Sequence, residues 1–160
     1  MKQGKHALVP GSFDPMTLGH YDLIRTVAER YERVTVAVMV NLEKHAQFDM
    51  ETRVAIARLT LVDLPNVAVI SDSGMLIDLF DRVSADVVCK GYRDETDLAY
   101  EQVQAEWNAA HNPHFRTELI PSNGEHAHVS STMVREKLLR GESPDGLVAD
   151  AALPLLYQKP

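Results

Sequence analysis

Residues 34–40 read VTVAVMV, an apolar run rich in β-branched residues. Such a run is typical of a strand that is buried on both faces of a sheet. Shorter apolar runs predict four more strands, at residues 6–10, 67–70, 86–90 and 116–120. Apolar residues at helical spacing predict helices between them, at residues 19–31, 50–62, 76–83, 97–110 and 130–140, and a last helical segment that ends near Tyr157. Strands that alternate with helices form right-handed βαβ units, so we predict an α/β fold with a five-stranded parallel sheet.

Residue types at the ends and on the faces of these segments support the helix predictions. Asp49 is a good N-cap for the second helix, and Gly141 follows the helix at residues 130–140 in the usual C-terminal position. The apolar face of the first helix consists of Leu23, Ile24, Val27, Ala28 and Tyr31. The apolar face of the helix at residues 97–110 consists of Tyr100, Val103, Trp107 and Ala110. Ligands of parallel sheets bind outside the carboxyl ends of the strands, so we expect a ligand site in the loops that follow these ends.

Composition limits the classes of protein to which this fold can belong. The 160 residues are 45% hydrophobic, which suits one globular domain over residues 1–160. The net charge of −7 argues against binding of nucleic acid by a basic surface, so a phosphate site would need a local basic cluster. The N-terminus lacks the apolar core of a signal peptide, no apolar run approaches the ~18 residues of a membrane span, and a single cysteine, Cys89, excludes an intrachain disulfide. We therefore expect a cytoplasmic protein with neither a membrane nor a nucleic-acid partner.

The loop after the first predicted strand, at residues 10–20, reads PGSFDPMTLGH and contains two prolines and two glycines. Gly11 allows the backbone to approach a ligand closely, and Pro15 restricts the preceding residue to extended geometry. Gly19 and His20 then open the first helix, whose N-terminus presents unpaired N–H groups and a partial positive charge. Residues 10–20 taken together therefore predict a phosphate-binding site, with the His20 side chain directed toward the phosphate. A Gly-His pair by itself would suit a capped turn with a surface histidine.

The string GSFDPMTLGH resembles the (H/T)xGH signature of the nucleotidyltransferase superfamily, with TLGH at the four signature positions. The lead-in PGSFDP is similar to the PGTFDP that is typical of the bacterial phosphopantetheine adenylyltransferase family. The resemblance continues with Lys44 after the second strand, KGYR at residues 90–93, Tyr100 and Glu101 in the next helix, and VSSTMVRE at residues 129–136. It implies a single-domain, Rossmann-like doubly wound sheet with helices on both faces, which is the nucleotidyltransferase fold.

The resemblance also implies a reaction. The adenylyl group of ATP would pass to 4′-phosphopantetheine by direct in-line attack, giving dephospho-coenzyme A and pyrophosphate. The attacking phosphate is already anionic, so the reaction needs positioned cations and N–H donors rather than a strong general base. The predicted catalytic residues are Ser12, His20, Lys44 and Arg93. His20 would contact the α-phosphoryl oxygens, while Ser12 and Lys44 would hold the incoming phosphate.

Further properties follow from the same resemblance. Mg²⁺ is expected to bridge the ATP phosphates, with no metal site built from protein side chains. The family implies a homohexamer and feedback inhibition by coenzyme A. The predicted ATP-binding residues are Ser12, Phe13, His20, Gly91, Tyr92, Arg93, Glu101, His126, Ser130, Ser131 and Thr132. The predicted phosphopantetheine-binding residues are Ser12, Lys44, Met75, Leu76 and Lys90.

This chain departs from the family pattern at a few positions. Lys90 replaces the usual arginine of RGxR, and lysine keeps the charge but loses the bidentate fork. Gln104 and Trp107 lie on the helix face that, by resemblance, borders the pantetheine arm, where smaller or aliphatic residues are expected. These substitutions predict a changed contact with the acceptor.

The same residues are also compatible with purely structural roles and with other functions. The hydroxyl residues at 130–132 can simply cap a helix, and the charged motif residues can be solvated surface side chains. His126 and His128 alternate, but no carboxylate or cysteine accompanies them at a recognised ligand spacing, so we do not expect a metal there. Another superfamily enzyme, with nicotinamide mononucleotide or glycerol phosphate as acceptor, is one alternative, although KGYR, YE and VSST together favour the pantetheine enzyme. A nucleotide-binding regulator that has lost catalysis is the other.

Overall fold

The alternation of strands and helices that the sequence predicts runs through the described chain. The structure is a computed structural model, and it describes residues 3–42 and 45–157. The strands in these residues are β1 (Gln3–Gly11), β2 (Tyr31–Met39), β3 (Val67–Asp72), β4 (Val87–Tyr92) and β5 (Thr117–Pro121). The α-helices are α1 (Leu18–Arg30), α2 (Met50–Thr60), α3 (Leu76–Arg82), α4 (Glu95–His111) and α5 (Ser131–Leu139), followed by a 3₁₀ helix at Asp150–Tyr157.

The strands form one sheet in the order β3-β2-β1-β4-β5, and every neighbouring pair is parallel. The chain moves outward from β1 to β3, returns across the sheet through α3, and continues from β4 to β5. This reversal makes the gap between β1 and β4 the switch point of the sheet. In such folds a crevice opens outside the carboxyl ends of the strands that flank the switch point, which are here β1 and β4. The predicted doubly wound, five-stranded parallel sheet is confirmed.

Side chains of the central strands alternate between two buried faces. On one face, Val9 and Val36 pack in a core with residues of α1, α2, α5 and the 3₁₀ helix. On the other face, Leu8 and Ala37 pack with residues of α3 and with Phe115. Residues 34–38 of this run are therefore buried on both sides, as its composition predicts, whereas Val40 lies beyond the strand and is exposed.

Two helix boundaries are defined by the predicted capping residues. Asp49 precedes α2, and its side chain accepts a hydrogen bond from the Thr52 N–H at 2.8 Å. Gly141 follows α5 with a φ of 73°, a left-handed conformation that favours glycine. Both cap predictions are confirmed.

Several strand boundaries differ from the predicted ones. Tyr31 begins β2 rather than ending the first helix, and its buried ring places the hydroxyl 3.0 Å from Glu118 on β5, to which it donates. β3, β4 and β5 extend one or two residues further toward their carboxyl ends than predicted. They do so because backbone pairing continues beyond the last apolar residue, for example between Asp72 and Met39. Hydrophobic patterning therefore underestimates β3, β4 and β5 at their carboxyl ends, although β2 ends one residue earlier than predicted.

The predicted apolar face of α4 is wrong as a core-facing stripe. Tyr100, Val103 and Trp107 are 64%, 61% and 44% exposed, Ala110 is exposed as well, and α4 contains no buried residue. The helix packs beside β4 and β5 at the edge of the sheet, where the described chain offers no further layer to cover its outer side. The stripe that looks like core in the sequence is surface in the structure.

Candidate active site

A cavity of about 680 Å³ opens at the carboxyl ends of β1 and β4, at the switch point of the sheet. Its walls come from the loop after β1, the end of β4, the N-termini of α1 and α5, and part of α4. From the first loop and β4, the predicted residues on this wall are Ser12, Phe13, His20, Lys90, Gly91 and Arg93. From α4 and the segment around the start of α5, they are Glu101, His126, Ser130, Ser131 and Thr132. The motifs that are separated in sequence thus meet in one cavity.

A smaller group of predicted site residues does not lie on the cavity wall. Met75 precedes α3 and is 52% exposed, and Leu76 packs against the core on the face of the sheet that α3 covers. Tyr92 ends β4, where its carbonyl accepts a hydrogen bond from the Ser122 N–H at 2.8 Å. The predicted catalytic Lys44 lies outside the described residues.

His20 is held at the start of α1 by a reciprocal capping arrangement. The Thr17 side chain accepts from the His20 N–H at 3.3 Å, and His20 Nδ1 accepts from the Thr17 N–H at 3.0 Å. Nδ1 therefore carries no hydrogen in the neutral ring, and Nε2 must carry it. Burial, and after it the nearby Arg93 guanidinium, lowers the pKa of His20 to about 4. At neutral pH the ring is an uncharged donor through Nε2–H.

The loop that carries Ser12 is shaped by a close approach between backbone and ring. Phe13 has a φ of 46°, and its ring makes an edge contact with the His20 ring at a centroid distance of 5.1 Å. A Cβ atom at Gly11 would lie only 2.8 Å from the Phe13 ring, so any larger residue at that position would require the ring to shift. The loop thus joins Ser12 to His20 through a packed aromatic ring.

Neighbouring segments fasten the same loop from both sides. The buried Asp14 carboxylate accepts from the backbone N–H groups of Gln47 at 2.8 Å and Phe48 at 2.9 Å. From α5, Arg135 Nη1 donates to the Asp14 carbonyl at 2.7 Å, and the Ser131 hydroxyl donates to the Pro15 carbonyl at 2.7 Å. The two ends of the site, at α1 and at α5, are therefore mechanically connected.

The segment before α5 packs against the first turn of α1. A Cβ at Gly19 would lie 2.7 Å from the Val129 carbonyl oxygen and 2.9 Å from that of His126, so only glycine permits this packing. The Asp22 carboxylate on α1 accepts from the backbone N–H of His126 and lies 3.1 Å from its Nδ1. Asp22 therefore fixes both the backbone and the ring of His126.

The basic residues after β4 contact carboxylates of α4. Lys90 Nζ lies 2.8 Å from Glu101 Oε1, and both side chains are largely buried. Arg93 Nε lies 3.6 Å from Asp97 Oδ2 in a more exposed pair. Glu101, which the family resemblance assigns to ribose hydroxyls, is thus the ion-pair partner of Lys90 in this structure.

The start of α5 combines capping with an open helix N-terminus. The Ser130 side chain accepts from the Met133 N–H at 3.2 Å, which confirms the capping prediction. Thr132 Oγ1 accepts from Arg135 Nη2 at 3.1 Å. The first N–H groups of α5 lie at the cavity wall, where a helix N-terminus favours an anion.

Three residues of this region were not singled out by the sequence analysis. Arg53 and Arg135 line the cavity, and Asp22 holds His126. Arg135 belongs to the quoted string VSSTMVRE. Arg53 had a weaker signal: it occupies a position on the helix face that also carries Ile56 and Ala57, where an apolar residue is expected.

Neither a metal-ligand cluster nor a membrane-spanning helix occurs in the described chain. Residues 3–42 and 45–157 contain no group of three or more His, Cys, Asp or Glu side chains placed to hold a metal ion. His128 is exposed and lies away from the cavity wall. Within the same residues, no helix has the length and apolar character needed to cross a bilayer.

Comparison with known proteins gives both a family and close relatives. The sequence model of the family described as Cytidylyltransferase-like matches residues 8–137. A phosphopantetheine adenylyltransferase from Dictyoglomus turgidum is 37% identical over 153 residues, which are 96% of this chain and 96% of that protein. One from Limosilactobacillus reuteri is 39% identical over 82% of this chain and 76% of its own length. One from Symbiobacterium thermophilum is 37% identical over 96% and 94%, respectively.

A solved structure agrees with the fold. A structure assigned as a nicotinate-nucleotide adenylyltransferase from Vibrio parahaemolyticus superposes with a TM-score of 0.70, covering 98% of this chain and all of the other. The two sequences are 15% identical, so this similarity concerns the fold alone. It supports the arrangement of the parallel sheet and its helices described above.

Proposed function

Since the chain belongs to the phosphopantetheine adenylyltransferase family, we propose that it transfers the adenylyl group of ATP to 4′-phosphopantetheine, releasing pyrophosphate and forming dephospho-coenzyme A. The observation that carries the proposal is the convergence of three segments on one cavity at the switch point. These segments are the loop from Ser12 to His20, the KGYR segment after β4, and the N-terminus of α5.

The cavity wall carries more cationic than carboxylate side chains, although the protein as a whole is acidic. Arg53, Lys90, Arg93 and Arg135 all line it, in a chain whose net charge is −7. A concave, partly desolvated wall concentrates such a field and draws anionic substrates toward it. The reaction brings together a triphosphate and a phosphate monoester, and this arrangement of charge suits both.

We propose that His20 donates a hydrogen bond to the α-phosphoryl group of ATP. Its Nε2–H is fixed in direction by the Thr17 cap, and it remains uncharged near neutral pH. A preorganised N–H donor stabilises the charge that develops on the phosphoryl oxygens in the transition state, and it needs no proton transfer to do so. The Ser12 hydroxyl and Lys44 are proposed to hold the incoming phosphate, with Ser12 presented by the loop that Phe13 and Asp14 fix.

The remaining contacts divide between the two substrates. We propose that the N-terminus of α5, with Ser130, Ser131 and Thr132, receives the triphosphate, and that Phe13, Gly91, Tyr92, Arg93 and His126 border the nucleotide. We propose that Lys90 binds the phosphate of the acceptor and that Glu101 accepts hydrogen bonds from the ribose hydroxyls. Because these two side chains are paired at 2.8 Å, binding must redirect both of them. Met75 and Leu76 remain the proposed border of the pantetheine arm.

Magnesium enters this scheme as part of the nucleotide substrate. Cavity carboxylates are already engaged: Asp14 by backbone N–H groups, Asp97 and Glu101 by cations. This donor set fits Mg²⁺ held mainly by ATP phosphates, the usual mode for this ion. When bound there, the ion supplies charge neutralisation to the triphosphate.

We propose three further properties, which concern assembly, regulation and location. We propose a homohexamer, supported by the exposed apolar side chains of α4, which are unusual for a helix facing only water. We also propose coenzyme A as a feedback inhibitor and the cytoplasm as the compartment, which suits the single buried thiol of Cys89. Light scattering tests the first: a mass near that of one 17.9 kDa chain would contradict it.

An acceptor panel tests the reaction itself. Pyrophosphate release from ATP is measured with 4′-phosphopantetheine, nicotinamide mononucleotide, glycerol 3-phosphate, or no acceptor. We expect release only with 4′-phosphopantetheine. Turnover with either of the other acceptors and none with 4′-phosphopantetheine would reject the assignment of the acceptor, and no turnover with any acceptor would favour a binding protein that has lost catalysis.

A further inference from the structure

Arg53 is a buried cation on the cavity wall whose role the family resemblance does not supply. It is the fourth residue of α2 and is only 5% exposed. A long charged side chain rarely occupies such a position without a specific partner. Its surroundings therefore indicate what the charge is for.

The Arg53 guanidinium connects three separate segments of the site through backbone carbonyl oxygens. Nε donates to the Phe48 carbonyl at 3.0 Å, and Nη1 donates to the Ser12 carbonyl at 3.0 Å and to the Met39 carbonyl at 3.4 Å. These carbonyls belong to the loop before α2, the loop after β1 and the end of β2. The planar fork of arginine allows one side chain to reach all three.

Carbonyl groups solvate this cation but do not neutralise it. None of the ion pairs among the described residues includes Arg53. The nearby Asp14 carboxylate is committed to the N–H groups of Gln47 and Phe48. Asp49 is exposed, and its lowered pKa results first from hydrogen bonds with Thr52 and only to a lesser extent from Arg53.

A buried charge without a counter-charge is costly, and an anion that binds beside it recovers part of that cost. We propose that Arg53 is a positioning residue of the site, which fixes the Ser12 loop through the Ser12 carbonyl and supplies a positive charge, paired with no carboxylate of the described residues, that favours binding of a substrate phosphate in the cavity. The inference rests on the proposed function, because that function brings the phosphate groups to this wall.

Binding of inorganic pyrophosphate tests the charge without requiring turnover. Isothermal titration calorimetry and thermal shift are measured on the full chain and on Arg53→Gln, Arg53→Lys and Arg58→Gln. Arg58 is the matched control, because it lies on the same helix and donates to the Val69 carbonyl at 3.1 Å away from the cavity. We expect pyrophosphate to bind Arg53→Gln at least tenfold more weakly than the original protein, and to bind the other two variants within threefold of it.

A kinetic comparison tests the positioning half of the inference. Lysine keeps the charge but lacks the planar fork that holds the three carbonyl oxygens, so the Ser12 loop should lose its fixed position. We expect kcat of Arg53→Lys to fall at least tenfold while KM for ATP stays within threefold. A lesion that only weakened the fold would lower the thermal midpoint without this split between kcat and KM.

The outcomes separate this inference from the proposed function. Equal pyrophosphate affinity in Arg53→Gln and the original protein overturns the inference. An unchanged kcat in Arg53→Lys overturns it as well. If Arg53→Gln does not fold, the kcat of Arg53→Lys is the deciding measurement. Failure of the original protein to bind pyrophosphate overturns the inference, while the acceptor panel decides the proposed function separately. Arg53-dependent binding without adenylyl transfer to any acceptor rejects the proposed function and supports the role of Arg53 in binding anions.

Discussion

Two histidines lie at opposite ends of the same sheet and use their ring nitrogens differently. His6, in β1 near its amino end, has Nε2 at 2.6 Å from Thr35 Oγ1 and Nδ1 at 3.4 Å from the Ser84 carbonyl. His20, beyond the carboxyl end of β1, uses Nδ1 for the Thr17 N–H and retains Nε2–H at the cavity wall. A histidine whose two nitrogens both have partners inside the protein is structural. One that keeps a directed donor at a cavity is placed for a ligand.

The pKa of both histidines is lowered, so the shift alone does not distinguish them. Burial and then Arg33 lower the pKa of His6, while burial and then Arg93 lower that of His20 to about 4. Desolvation disfavours the charged ring wherever it occurs. The structural and functional roles differ in whether a ring N–H without a partner inside the protein lies at the cavity. Variants of the two histidines test that distinction.

The largest effect is expected for His20→Ala. Loss of a donor that acts mainly on the transition state should lower kcat by about a thousandfold and leave the dissociation constant of ATP within threefold. Steady-state kinetics and calorimetry give the two values. A nearly normal kcat in this variant would show that His20 has no catalytic role and does not differ from His6 in that respect.

A smaller loss is expected for Lys90→Gln, which removes one cation and frees Glu101 from its ion pair. KM for 4′-phosphopantetheine should rise roughly ten- to a hundredfold, because a charged hydrogen bond to the acceptor phosphate is lost. Lys90→Arg serves as the control, since it keeps the charge and adds a planar fork that can bind phosphate in a bidentate way; its KM should not exceed the original value. Unchanged KM in Lys90→Gln would place the acceptor phosphate elsewhere.

Asp22→Asn tests a contact one step removed from the substrates. Asparagine weakens the interaction with Nδ1 of His126, so the ring should lose its fixed orientation and KM for ATP should rise about three- to tenfold. Asp63→Asn is the control, because Asp63 accepts from the Tyr21 hydroxyl of the same helix at an exposed site. Equal kinetics in the two variants would show that the orientation of His126 does not affect ATP binding.

His6→Gln should affect stability and not catalysis. It disturbs buried hydrogen bonds at the amino end of the sheet and should lower the free energy of unfolding by roughly 1–3 kcal/mol. Chemical denaturation and steady-state kinetics measure the two properties separately. A fall in kcat that exceeds threefold at a temperature where the variant is folded would contradict its purely structural role.

The lowered pKa values also predict how stability depends on pH. A histidine with a depressed pKa binds fewer protons in the folded state than in the unfolded state, so its contribution is fully present above the unfolded pKa of about 6.5. That contribution is lost as pH falls from 6.5 toward the folded pKa. We expect the thermal midpoint to fall between pH 7 and pH 5, and to fall less steeply in His6→Gln. An equal slope would show that His6 does not titrate in this way.

Local patterning was enough to predict the sheet and most of its helices. The run at residues 34–40 predicts a doubly buried strand, and Asp49 and Gly141 mark helix ends, because these signals depend on nearby residues. The stripe on α4 misled the prediction, since spacing records which residues share a face but not whether another layer covers it. Tyr100 and Trp107 are exposed for that reason.

The sequence motifs predicted which residues line the cavity better than they predicted which side chains contact each other there. Ser12, His20, Arg93 and Ser130 meet at its wall because parallel strands bring their carboxyl ends together. The pairing of Lys90 with Glu101 and the clamp formed by Arg53 depend on distances between segments far apart in sequence. Such contacts appear only once the sheet order fixes which loops are neighbours.

The central claim is that the α-phosphoryl group, with its adenosine, passes from ATP to an acceptor phosphate in this cavity. Two parallel reactions with 4′-phosphopantetheine, one containing α-³²P-labelled ATP and one γ-³²P-labelled ATP, test it most directly. We expect the α label in dephospho-coenzyme A and the γ label in pyrophosphate. Transfer of the γ label to the acceptor, or recovery of the α label only in AMP, would contradict the account.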